Sequence, residues 1–127
     1  MHKPASVSTR LKPLTYDDPM YQLLRDGDVA EFNRRKAAGE RCDLTHCDLR
    51  SLDLRGIDAA GLDFSHCYFR NANLRGVDFT KSGLEGASLN QAKISGAYFP
   101  PQLSAAEIAL SVEHGARMRY RKDNSSC

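Results

Sequence analysis

Four pairs of side chains able to do chemistry recur at a spacing of twenty residues: Arg50 with Arg70, Arg55 with Arg75, His46 with His66, and Cys47 with Cys67. Brought together, the guanidinium pairs would make an oxyanion site, because each presents N–H donors in a fork that matches carboxylate or phosphate. The imidazole pair would suit a metal ion or a pH sensor. The thiol pair, one strand spacing apart, would fall within disulfide range. Gly56, Gly76 and Gly96 share the spacing and would leave a bare strip open to close backbone approach. No nucleophile, base and orienting group stand at a useful spacing, and neither a phosphate loop nor a dinucleotide fingerprint is present. No catalytic residue, cofactor or metal is therefore assigned, and the chain is not read as an enzyme.

What must position these residues is a repeat. Residues 42–101 divide without gaps into twelve five-residue units: CDLTH CDLRS LDLRG IDAAG LDFSH CYFRN ANLRG VDFTK SGLEG ASLNQ AKISG AYFPP. The third position holds Leu44, Leu49, Leu54, Ala59, Phe64, Phe69, Leu74, Phe79, Leu84, Leu89, Ile94 and Phe99; apart from Ala59 all are large and apolar and form the predicted core. The first position, from Cys42 and Cys47 to Ala92 and Ala97, carries no charge and must also be buried. Apolar residues at i and i+2 followed by a gap of three fit neither a helix nor a long strand, but suit a short extended stretch and a turn, repeated. Five units end in glycine, which turns most cheaply.

The units CDLRS, LDLRG, ANLRG and VDFTK resemble the A(D/N)LxX signature of pentapeptide-repeat proteins, over about half the chain. The resemblance implies a right-handed quadrilateral β-helix, one unit per side and four units per turn, hence about three coils, whose open ends call for the helical caps read from the flanking sequence at both ends. At a strand spacing of about 4.8 Å such a stack would be roughly 15 Å tall. It also implies a bacterial, non-enzymatic protein. Some relatives mimic DNA, bind DNA gyrase and protect it from quinolones, and longer members dimerise through their C-terminal ends.

Each candidate has a plainer reading. Asp48 and Asp53 share sides with Arg50 and Arg55 and can balance them, leaving an ordinary solvated surface. Two imidazoles without a third ligand make a poor metal site. Cys47 and Cys67 serve as small reduced core fillers in a cytosolic protein, and turn formation accounts for the glycines. The second-position aspartates Asp43, Asp48, Asp53, Asp58, Asp63 and Asp78 read as turn and surface hydrogen-bonding residues.

The organisation follows: a flexible segment over 1–16, a helical cap over 17–41, the repeat over 42–101, a helix over 102–116 and a polar, basic, frayed tail over 117–127. In the first cap, Asp18 precedes Pro19 and Gly27 ends one helix; Asp28 opens a second, with Val29, Phe32 and Ala37 toward one face and Gly39 as its stop. After Pro100 and Pro101, Ser104 and Glu107 form a capping box. The helix they open carries an apolar stripe of Ile108 and Val112 beside Ala105 and Ala109. That stripe either lies over the third coil or closes a homodimer.

Eighteen bases against sixteen acids announce neither a nucleic-acid binder nor a membrane-surface protein. Without an apolar span or signal core the expected location is the cytoplasm. The repeat has seven acids and six bases, a net charge of −1, and is short, whereas mimicry of DNA needs a long acidic rod. The leading expectation is an unidentified protein partner met by the flat faces of the solenoid, with Arg50, Arg55, Arg70 and Arg75 as the candidate surface, or by the C-terminal helix. Gyrase modulation is the alternative, with weak nucleic-acid binding through these arginines and the tail (Arg117, Arg119, Arg121, Lys122) a further one.

Overall fold

The computed structural model describes residues 18–121; the expected flexible segment 1–16 and the tail from Lys122 onward lie outside the described residues. Within the repeat, the N–H of each first-position residue bonds back to the third-position carbonyl of the preceding unit, from Cys47 to Leu44 through Ala97 to Ile94. Each bond closes a β-turn. The fifth residue sits at its second central position with positive φ, as in Gly56 (85°), Gly76 (74°) and Gly96 (73°), the backbone of a type II turn. His46, Ser51, His66, Asn71 and Gln91 adopt the same region at 60–63°. Asparagine tolerates it well; the other side chains hold it because the coils on either side fix the backbone.

Corners every five residues bring the chain back over itself every twenty. Asp48 pairs in parallel with Tyr68 and Tyr68 with Ser88, and Asp53 with Asn73 and Asn73 with Lys93, so three levels stack. Each side is too short for a run of strand pairing, and the contacts are single bridges. Third- and fifth-position N–H groups reach the next coil, as in Leu49 to Tyr68 and Ser51 to Arg70; second-position N–H groups reach the previous one, as in Tyr68 to Cys47. Lys81 is the exception among the corners: its φ is not positive, and the bond from Gly61 below goes to its own carbonyl instead of that of the fourth residue.

The inward side chains form one core. Leu44 through Leu89 at third positions are buried, Ala59 included, and Phe64, Phe69 and Phe79 meet edge to face with centroids 5.6–6.2 Å apart. Ile94 and Phe99, expected in the core, are only half-buried, because nothing repeats above them. Cys42, Leu62 and Ala97 at first positions are likewise half-buried. Ser82, a polar first-position residue, is satisfied through its hydroxyl, which donates to Ala59 O at 2.7 Å.

Two helices close the first coil, α1 (Pro19–Arg25) and α2 (Val29–Ala37), N-capped by Asp18 and Asp28. Both end in a left-handed glycine: Gly27 and Gly39 donate to Leu24 O and Lys36 O, while Asp28 and Glu40 donate to Leu23 O and Arg35 O, the paired bonds of a Schellman stop. Met20, Tyr21, Leu24 and Phe32 are buried beneath the coil, but Ala37 is exposed, so the apolar face of α2 is narrower than expected. Polar groups answer the coil's open backbone: Tyr21 OH donates to Asp48 O, and Asn33 both donates to Gly56 O and accepts from Asp58 N.

The other end is closed by α3 (Ala105–His114), capped by Ser104, and by the segment after it. Ile108 and Val112 pack against the core. Ala105 and Ala109, placed on the same stripe from the sequence, are exposed; Ser111, fully buried, takes their place on the inner face. Met118 is also fully buried. Residues 117–121 therefore do not fray: Met118 O accepts from Gly86 N and Met118 N donates to Ala87 O.

Candidate functional site

On the side formed by residues 47–51, 67–71 and 87–91, Arg50 lies flat against Asp48, its Nε and Nη2 donating to the two carboxylate oxygens at 2.7 and 2.8 Å. On the next side Arg55 grips Asp53 in the same way, at 2.9 and 2.7 Å. The second-position carboxylate also accepts the backbone N–H two residues on, as Asp48 does from Arg50 and Asp53 from Arg55. A short local turn thus aims each acid at the fourth-position side chain. The guanidinium beside it holds Asp53 down to about 2 and lowers Asp48 by the same cause.

One coil higher the second position changes. Tyr68 and Asn73 stand where Asp48 and Asp53 stood, and neither Arg70 nor Arg75 has an ion pair among the described residues. The four arginines expected to act together are therefore of two kinds, two held in ion pairs and two without one among the described residues.

Two residues not singled out from the sequence, Arg25 and Tyr68, join this side, together with Arg117 of the basic tail. Arg25, at the end of α1, donates to Asp48 O at 3.4 Å. Tyr68 is partly exposed and its hydroxyl accepts from Arg117 Nη2 at 3.0 Å, while the Arg117 guanidinium carbon lies 5.3 Å from the ring centroid. Tyr68 was legible as a break in the aspartate pattern. Arg25 and Arg117 were not, since only cap docking brings them here.

Charge is sorted around the coils. The side of residues 42–46, 62–66 and 82–86 carries Asp43, Asp63 and Glu85 and no lysine or arginine. The two sides that follow carry Arg50 and Arg70, then Arg55, Arg75 and Lys93, against Asp48 and Asp53 alone.

The other pairs are also brought together. The imidazoles of His46 and His66 stack at 4.7 Å, and the ladder stops at Gly86, where a Cβ would collide with the His66 ring. Among the described residues no group of three or more His, Cys, Asp and Glu is arranged to hold a metal ion. Cys47 and Cys67 are fully buried and unbridged, and the Cys67 thiol donates to Leu44 O at 2.7 Å. The glycine corner 56, 76, 96 is spent on left-handed turns. No helix among the described residues is long and apolar enough to cross a membrane.

No curated protein and no solved structure gives a significant match to the chain. The family model described as pentapeptide repeats (8 copies) matches residues 60–96. The turns and bridges carry the same path back to Leu44, so the coil begins before the matched segment. Residues 60–96 of this chain thus carry pentapeptide repeats.

Proposed function

We propose that this chain is a non-enzymatic interaction module of bacterial cytoplasm, a right-handed quadrilateral β-helix that presents its basic side to a protein partner. The observation that carries this reading is the pair Arg70 and Arg75, exposed and without ion pairs among the described residues, one coil above Arg50 and Arg55, which are each neutralised. Charged residues left outside ion pairs on neighbouring sides of a molecule steer and select a charged partner.

DNA mimicry of the gyrase-binding kind is less well supported, because the acids cluster on one side and are matched by bases on the next instead of covering the stack. Ile108 and Val112 lean toward the core, which favours α3 as a cap over α3 as a dimer surface.

The test is affinity capture of the tagged chain from a bacterial lysate at low and high salt, beside a variant with Arg50, Arg55, Arg70 and Arg75 changed to Ser. A discrete protein kept by the wild type and lost by the variant supports the module. The same proteins captured by both overturn it, and nucleic acid alone, released by salt, puts direct nucleic-acid binding in its place.

A further inference from the structure

The seam between α1 and the first two coils holds a shallow groove lined by Arg25, Asp48, Arg50, Ser51, Arg70 and Asn71. Three guanidinium groups meet there with one carboxylate, and that carboxylate is already taken by Arg50. Arg25 is tethered to the Asp48 carbonyl, and Arg50 uses two of its side-chain N–H groups on Asp48, so both are held in place with donors to spare. Arg70 stands one coil above Arg50, about one strand spacing away, and Tyr68 in place of an acid leaves it no counter-charge in its own unit. Ser51 and Asn71, at left-handed corners, add a hydroxyl and a carboxamide to the wall.

From this the geometry points to a carboxylate-recognition site: the groove takes the side-chain carboxylates of a short acidic segment of a protein partner, bridged between Arg25, Arg50 and Arg70. An anion there relieves the repulsion between neighbouring guanidinium groups and accepts the forked donors they offer. The ligand must be short. Around the adjoining corner stand Asp43, Asp63 and Glu85, which repel a long polyanion such as a nucleic-acid duplex but not a few acidic residues seated in the groove. This deepens the interaction-module reading and rests on it.

The experiment is fluorescence anisotropy of fluorescein-labelled hexaglutamate titrated with the full chain at low ionic strength, using wild type, Arg70→Ser and Lys81→Ser. Both substitutions remove one exposed positive charge, Lys81 from a side away from the groove, and circular dichroism checks that both variants remain folded. Saturable binding weakened about tenfold by Arg70→Ser and less than about twofold by Lys81→Ser supports the groove. No saturable binding, or equal loss in the two variants, overturns it; capture of a partner lost only by the fourfold variant would still leave the module standing. Two competitors test the ligand class. Displacement by inorganic phosphate at lower concentration than by free hexaglutamate, or tighter binding of a labelled DNA duplex, overturns the carboxylate assignment.

Discussion

The hydroxyl of Ser111, fully buried on the inner face of α3, accepts the backbone N–H of Leu89 at 2.8 Å. One coil lower, the equivalent N–H of Phe69 bonds to Ser88 O; above the last coil no further repeat lies to receive it. Leu84 N donates to Tyr120 OH, while Gly86 N and Gln91 N donate to Met118 O and Val112 O. The C-terminal segment thus supplies the acceptors of an absent fourth coil on two of the sides.

Ser111→Ala leaves the Leu89 N–H buried without its acceptor and is expected to destabilise the fold by about 1–3 kcal/mol. Chemical denaturation measures this, with the exposed Glu113→Ala expected to be near neutral. Equal effects would mean that the cap is not what closes the coil.

Core truncation should depend on level. Phe69, in contact with Phe64 and Phe79 and fully buried, should lose about 3–5 kcal/mol on change to Ala. Ile94→Ala, at a half-buried site, should lose distinctly less. Thermal or urea unfolding of the two variants compares them directly.

Two glycine corners separate strain from collision. Gly56 at φ 85° has open space where a Cβ would sit, whereas at Gly86, φ 78°, the Cβ would strike the His66 ring. Gly56→Ala should cost about 1–2 kcal/mol, the penalty of the left-handed region, and Gly86→Ala clearly more. Adding His66→Ala should recover the excess in a double-mutant cycle.

Acid should weaken the Asp53 to Arg55 pair. Because the carboxylate is lowered to about 2 from 3.8, it binds fewer protons in the folded than in the unfolded chain. Its contribution to stability is present above about pH 4 and is lost as pH falls toward about 2. Carbon-detected NMR titration should show the low Asp53 value in the wild type and its return to the ordinary carboxylate range in Arg55→Gln.

The thiols report on opening of the coils. Burial, with Cys47 beside it, pushes the Cys67 thiol well above its ordinary range, and Cys42, half-buried, rises to about 11. Since thiolate is the reactive form, iodoacetamide should leave Cys47 and Cys67 unmodified in the native chain and label them in urea. Rapid native labelling of Cys67 would show that the coils open.

The repeat region was legible because its signal is local. Five-residue periodicity and third positions that are large in every unit but that of Ala59 state the same register along the repeat, and stacking neighbours need only agree on it. The helix ends at Asp18, Asp28 and Ser104 were equally plain, since a cap is a bond between residues two or three apart. The pairing of Asp48 with Arg50 was readable for the same reason.

The parts that escaped depend on packing between distant segments. Polar Ser111 at the core and exposed Ala105 and Ala109 contradict hydrophobic patterning because α3 meets open backbone, not only apolar side chains. Met118 gives no sign in a basic stretch that it will be buried across from Ala87. Arg25 lies twenty-three residues before Asp48 and enters the groove only when α1 docks. Sequence alone thus determined the coil and its repeating surface, since each unit encodes its own turn and its own inward pair. Tertiary structure decided how the ends are closed and which arginines meet, because both depend on where the caps come to rest.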